Sequence, residues 1–247
     1  MTNSVQYVEL GPTEFRQRLA EAPIAYLPLG TLEWHGEHLP LGSDGLQSSG
    51  FFTELAKRVG GIVLPMLFLG PDRHEKANGR DYYGMDLYGF PKGQPQQLDG
   101  SAYWVNNELF GQILEAILAR LARAGFKIVV AHGHCPSGHF FQDHIEAWSK
   151  QFGLELYTCW RPRPEEADGL GIMTDHAAAN ETSLMMALHP DLVHLDRLSP
   201  DPSVWPMAVS GQDPRTEASS QRGQQAIARQ VERMSSILRE ALSRHSA

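Results

Sequence analysis

The sequence predicts an α/β protein, a single domain with a largely parallel sheet flanked by helices on both faces. Three observations carry this expectation. Short apolar runs of β type alternate with longer runs of helical period. The stretches between the runs are long enough for the helical crossovers that parallel neighbours require. The chain has 247 residues, 42% apolar and 20% charged, enough for one large domain with an ordinary core.

Pro12 to Ala22 reads as a helix, with Pro12 or Thr13 near its start. Ile24 to Leu29 follows as a buried strand closed by Gly30. Leu46 to Val59 is helical, because Phe51, Phe52, Leu55 and Val59 can share one face. Two glycines end it, and Ile62 to Leu64 begins the next strand, with Pro65 near its exit. Asn106 can cap a helix in which Leu109, Ile113, Leu114, Ile117, Leu118 and Leu121 recur at helical spacing, and Gly125 stops it. Lys127 to Ala131 is a short strand, Phe140 to Phe152 a helix and Leu154 to Thr158 a strand. Asn180 to Leu188 is helical, and Ile227, Val231, Met234, Leu238 and Leu242 mark a long amphipathic helix. Glu75 to Gly100, rich in Gly and aromatics, and Asp196 to Ser219, rich in Pro, break the alternation and read as functional loops or excursions. The expected organisation is one domain over 1–247 with an insertion at about 75–100.

A net charge of −8 repels a phosphate backbone, so the sequence predicts no nucleic-acid partner. No apolar stretch approaches the roughly 18 residues that span a bilayer, so no membrane partner is expected. The N-terminal segment has neither a basic patch nor an apolar run of signal type. Two cysteines, Cys135 and Cys159, make no disulfide framework, and together these features predict a cytoplasmic protein.

The chemistry-bearing residues gather in three clusters. Glu33-Trp34-His35-Gly36-Glu37-His38 leads to Asp44 directly after the first strand, at the sheet edge where α/β proteins bind ligands. Glu33 and His35 point the same way in extended backbone. His132-Gly133-His134 follows the strand Lys127 to Ala131, at the same kind of edge. Asp175-His176 and Glu181 form the third cluster, among small residues that allow close backbone approach. Carboxylate oxygen with imidazole nitrogen suits zinc, manganese or iron. About five such donors suffice for two divalent ions if one carboxylate bridges, and an ion pair of that kind can hold a hydroxide and polarise a carbonyl. Competing readings are a solvated polar loop for the first cluster, surface or partly buried histidines for His139 and His144, and a Cys135 nucleophile with His132, His134 or His139 as base.

Five stretches together resemble the creatininase (creatinine amidohydrolase) family. LPLGTLEWHGEHLPLGSD resembles the family's PxGSxEQHGPHLPxxTD, and VLPMLFLGPDRHE its VLPPxxYGxSxEH. LARAGFKIVVAHGHCPSGH resembles GFRRIVIVNGHGGN, TDHAAANETS resembles HAGExETS, and GQDPRTEASSQRG resembles GDPxxATxEKG. The resemblance implies metal ligands at Glu33, His35, Asp44 and His134, with Asp44 bridging. Creatininase draws another ligand from a Glu two residues after the NGH histidine, where this chain has Pro136; the acid of the ETS motif, Glu181, is the implied replacement. This departure counts against creatinine as substrate. His176 corresponds to the site histidine, expected to donate a proton to the departing nitrogen with Asp175 orienting it. His38 and Glu37 are expected beside the ligands or in loop packing, and His74 has no assigned role. Tyr82, Tyr83 and Tyr88 of the insertion are candidate substrate contacts if that segment is a lid, and subunit contacts if it is not.

The implied activity is hydrolysis of the C–N bond of a small amide or cyclic amide by a hydroxide held between two metal ions, Zn and/or Mn with Fe as the third candidate. The alternatives are a deformylase or peptide hydrolase of the same family, or a non-catalytic metal- or ligand-binding relative. The resemblance also implies a homo-oligomer, commonly a hexamer.

Overall fold

The computed structural model describes residues 4–77, 79–84, 100–160 and 169–245. Helix α1 (Pro12–Glu21) leads into strand β1 (Ile24–Leu29), then α2 (Ser43–Val59) and β2 (Ile62–Val63). A hairpin of β3 (His74–Ala77) and β4 (Arg80–Tyr83) precedes α3 (Asn107–Ala124), β5 (Ile128–Gly133), α4 (Cys135–Phe152) and β6 (Glu155–Thr158). Helices α5 (Ala179–Leu188), α6 (Pro214–Glu217) and α7 (Ser220–Ser243) complete the chain. The main sheet has the order β2-β1-β5-β6 and every pairing in it is parallel.

Alternation along β1 and β5 feeds two cores. Ile24, Tyr26, Ile128 and Val130 pack with Phe51, Phe52 and Leu55 of α2, Leu184 of α5, and Met234 and Leu238 of α7. Ala25, Leu27, Leu29 and Val129 face Leu114 and Leu118 of α3 and Phe141 and Trp148 of α4. Each such large side chain contributes about 1.5–3 kcal/mol when buried. Both strands are buried along their whole length, as expected for a parallel sheet covered on both faces. Helices therefore flank both faces, as the sequence predicts.

Pro28 sits inside the central strand β1, a position proline usually avoids. Its carbonyl accepts from Leu67 N at 3.0 Å. In a strand the N–H and C=O of one residue face the same neighbour. The missing donor therefore lies beyond the end of β2, and the β1–β5 ladder loses nothing.

Asn106 caps α3 by accepting from Leu109 N at 2.9 Å, and Gly125 ends it in the left-handed region, both as predicted. Three boundaries differ in ways that matter to the site. Helix α2 begins at Ser43, which places Asp44 in its first turn. Helix α4 begins at Cys135 rather than near Phe140, because Pro136 in the first turn gives up only an N–H that would be unpaired there anyway. The start of the segment read as irregular from Glu75 is the β3–β4 hairpin, whose sequence signal is the pair Asn78-Gly79. Helix α5 is buried from Ala179 to Met185 between α2 and α7. At its crossing with α7 a Cβ on Gly223 would lie 1.9 Å from the Ser183 carbonyl oxygen, so only glycine permits this approach.

Candidate metal centre

Strands β1 and β5 run in register from Ile24↔Ile128 to Leu29↔Gly133, so their carboxyl ends lie side by side. The loop after β1 supplies Glu33 and His35, and His134 stands at the end of β5. The first turn of α2 supplies Asp44, and the first turn of α5 supplies Glu181. These five side chains are buried, His35 completely.

His35 donates from Nδ1 to the Glu33 carbonyl at 3.2 Å, which leaves Nε2 facing the acids. That nitrogen is 3.4 Å from Asp44 Oδ1 and 3.3 Å from Glu181 Oε2. His134 Nε2 is 3.5 Å from Glu33 Oε2, while its Nδ1 lies 3.3 Å from Ser137 Oγ. Donor atoms lie within 4.8 Å of one another in three sets: Glu33, Asp44 and His134; His35, Asp44 and Glu181; and Glu33, His35 and His176. Asp44 belongs to the first two sets, the position a bridging ligand takes.

The residues present fit divalent ions. His35 Nε2 and Asp44 Oδ2 are buried with no hydrogen-bond partner, although acids surround them. A buried atom left in that state is costly unless something coordinates it. A set of imidazole nitrogens and carboxylate oxygens within 4.8 Å of one another suits zinc, manganese or iron. Burial alone would lower the His35 pKa, but the Asp44 and Glu181 carboxylates hold it well above the usual imidazole value. Burial alone would raise Asp44; its histidine neighbours, His35 first, bring it down to about 2.

His176 reaches the centre from the loop before α5. Its backbone pairs with Ser210 in both directions, at 3.0 and 2.8 Å. Its Nε2 donates to the Trp34 carbonyl at 2.9 Å, and Nδ1 lies 3.9 Å from Glu33 Oε1. Asp175 has a structural task at the start of α5. Its two oxygens accept from Asn180 N at 2.7 Å and Glu181 N at 3.1 Å, fixing the start of α5. The Trp34 carbonyl orients the His176 ring. Burial and then the Glu181 charge raise Asp175 to about 6.

One acid of the centre was missed. Asp72 Oδ2 lies 3.9 Å from His134 Nε2, with its side chain 5% exposed. Burial, then Glu33, pushes Asp72 above the usual carboxylate range. The signal was present, since Asp72 stands where the pattern VLPPxxYGxSxEH has its Ser. The β3–β4 hairpin is tied to it. Trp104 Nε1 donates to the Asp72 carbonyl at 3.0 Å, and Tyr83 packs between Trp104 and His74, with centroids 4.7 Å from each. Tyr82 is 5% exposed, with the Arg80 guanidinium 5.5 Å from its ring centroid. Tyr88 lies outside the described residues.

The remaining histidines divide by environment. His132 is buried between the Phe51 and Trp160 rings, and burial lowers its pKa to about 4. His38 is buried and bonded to Thr182, and burial, then the His35 charge, lowers it to about 4 as well. His144 stacks on Phe140 and Trp148 in α4. Cys135 is exposed, with Sγ 3.5 Å from His139 Nδ1, and belongs to none of the three donor sets.

A parallel α/β sheet with a buried carboxylate–imidazole centre at its carboxyl edge is the framework of a metal-dependent hydrolase. The sequence model of the Creatininase family, described as creatinine amidohydrolase, matches residues 9–238, and the chain belongs to that family. It is 30% identical over 220 residues to the creatinine amidohydrolase of Pseudomonas putida, covering 82% of this chain and 78% of that one. It is 27% identical over 198 residues to the mycofactocin precursor peptide peptidase of Mycolicibacterium smegmatis, covering 76% and 67% respectively. A solved mutant creatininase of Zn-Zn type superposes with a TM-score of 0.71 at 25% identity, covering 97% of this chain and 99% of that one.

Proposed function

We propose that this chain hydrolyses the C–N bond of a small amide or cyclic amide at a centre of two divalent ions, zinc or manganese with iron as the third candidate. The observation that supports it most is the convergence of Glu33, His35, Asp44, His134 and Glu181 into two donor sets that share Asp44. Glu33, Asp44 and His134 would hold one ion, and His35, Asp44 and Glu181 the other. When bound, such a pair makes water nucleophilic near pH 7 and polarises a carbonyl.

The chain's own residues supply the proton handling. His176 has its Nε2–H committed to the Trp34 carbonyl, so Nδ1 is the nitrogen that takes up a proton and passes it to the departing amine. Its side chain is 22% exposed, the most open of the group, as a residue that meets substrate must be. Asp175 supports the reaction by fixing α5, and through it Glu181. Asp72, outside the donor sets, offers an acceptor to a substrate N–H. Tyr83 and the hairpin that carries it form part of the pocket wall, with Tyr82 and Tyr88 as the further candidates from the insertion.

Pro136 at the position of creatininase's ligating Glu, with Glu181 in the cluster instead, favours a substrate other than creatinine. A formamide or a short peptide is the second reading, in keeping with the peptidase relative. We place the activity in the cytoplasm, in a single domain over 1–247 that assembles as a homo-oligomer, a hexamer being the size the family resemblance favours. Among the described residues no helix is long and apolar enough to cross a membrane.

Elemental analysis of the pure protein beside a screen of small amides, lactams, formamides and short peptides tests the proposal. Activity should vanish on chelation and return with zinc or manganese. Glu33→Ala and His134→Ala should keep the fold, lose the ion they share with Asp44, and lose turnover. A fully active metal-free preparation overturns the reading. Activity that survives chelation but not Cys135→Ser transfers the chemistry to the thiol, and bound metal without turnover on any of these substrates indicates a binding protein.

A further inference from the structure

Glu181 reaches the centre from α5, on a part of the chain remote from the His134 turn, so something must fix its carboxylate. Its Oε2 accepts from the Ala177 N–H at 2.8 Å and lies 3.3 Å from His35 Nε2. Ala177 can aim that N–H because it adopts a left-handed conformation, φ 52°, unusual for a residue with a Cβ. A conformation of this kind persists only where neighbours hold it. The carbonyl of the same residue accepts from Thr182 Oγ1 at 3.3 Å. With its own proton used there, Thr182 Oγ1 accepts from His38 Nε2–H at 2.9 Å, which fixes the His38 tautomer. His38, Thr182 and Ala177 are each at 0% exposure, so water does not substitute for these bonds.

We propose that His38 and Thr182 are positioning residues: their hydrogen bonds hold Ala177 left-handed, and its N–H then sets the Glu181 carboxylate for the ion shared with His35 and Asp44. The chain of contacts joins the loop after β1 to α5, the two segments that must meet for this donor set to exist. It rests on the two-ion reading above. Its competitor is apolar packing, since Ala177 also sits in a cluster with Leu39, Ala178, Met185 and Val209.

Thr182→Val keeps shape and volume and removes the hydroxyl, whereas Thr182→Ser keeps the hydroxyl and removes the methyl. Zinc is titrated calorimetrically into the metal-free full chain, with thermal unfolding as the check on folding. Wild type should bind two ions. Thr182→Val should weaken one of them by about 10- to 100-fold, the usual effect of losing a partner that orients a ligand. Thr182→Ser should stay near wild type. His38→Phe should match Thr182→Val, and His38→Gln, which keeps an N–H near the same place, should recover most of the affinity. This second pair decides the matter if Thr182→Val does not fold. Two ions bound with wild-type affinity in Thr182→Val or His38→Phe overturn the proposal, as does a Thr182→Ser as impaired as Thr182→Val, which would assign the effect to packing. A wild-type chain that binds fewer than two ions overturns the two-ion reading itself.

Discussion

Gly133 closes β5 one residue before His134, opposite Leu29 of β1. Its φ is +148°, and a Cβ built there would lie 1.7 Å from the Leu29 carbonyl oxygen. An ordinary carbon–oxygen contact is about 3.3 Å or more, so Gly133→Ala must push the two strand ends apart by roughly 1.5 Å. The backbone penalty is about 1–2 kcal/mol for a positive φ, and forced repacking adds about 1–3 kcal/mol. Their sum, about 2–5 kcal/mol, is a large part of a typical net stability of about 5–15 kcal/mol. At roughly 2–4 °C per kcal/mol for a chain of this size, Tm should fall on the order of 10 °C. The functional loss should be larger than the stability loss. Glu33 follows one strand and His134 the other, and metal–ligand distances tolerate only about ±0.2 Å. Differential scanning calorimetry and zinc titration read the two effects separately. Gly153→Ala is the control, because Gly153 has φ +66° with nothing within 4 Å of the added Cβ. It should lose about 1–2 kcal/mol and keep both ions. A Gly133→Ala protein with wild-type Tm and unchanged zinc affinity would refute the claim that the β1–β5 contact sets the centre.

Asp175→Ala removes the acceptor for Asn180 N and Glu181 N and should cost about 1–2 kcal/mol in urea unfolding; no loss would return Asp175 to a purely chemical role. His132 is held neutral with a pKa of about 4, but regains about 6.5 on unfolding. The unfolded chain therefore binds the extra proton, and this contribution, up to roughly 3 kcal/mol, is present above pH 6.5 and lost as pH falls toward 4. Asp175, raised to about 6, acts in the opposite sense between about 4 and 6, so the measurement is a difference. His132→Phe should flatten the acid limb of stability against pH relative to wild type; parallel curves would count against it. Tyr83→Ala should raise KM or change the order of preferred amides, whereas unchanged kinetics with an altered oligomeric mass would make the hairpin a subunit contact.

The elements most legible in the sequence were those whose signals are local. IAYLPL gave a strand with the observed limits, and the Asn106 cap and Gly125 stop appeared where the residue types placed them. The start of α4 was misjudged because Cys135-Pro136-Ser137-Gly138 reads as a turn. There Pro136 fits the first helical turn and Gly138 lets Trp160 pack, since a Cβ would meet that ring at 2.5 Å. The β3–β4 hairpin was hidden by its polar composition, which offers no apolar alternation to read. Asp72 marks a departure from the VLPPxxYGxSxEH pattern, but that departure has no meaning until the fold brings its carboxylate within 3.9 Å of His134 Nε2.

Residue types and their spacing along the chain were enough to single out candidate donors and to put them at the ends of β1 and β5 and the start of α5, because strand, turn and helix signals act over a few neighbours. Folding in three dimensions settled which atoms meet. The bond from His176 to the Trp34 carbonyl spans 142 positions and that from His38 to Thr182 spans 144. Contacts so remote depend on how helices cross over a sheet and how closely glycines let backbones approach. A linear pattern records neither. That is why Asp175 could be recognised as part of the site while its oxygens, bonded to α5 amides, had to be seen in place.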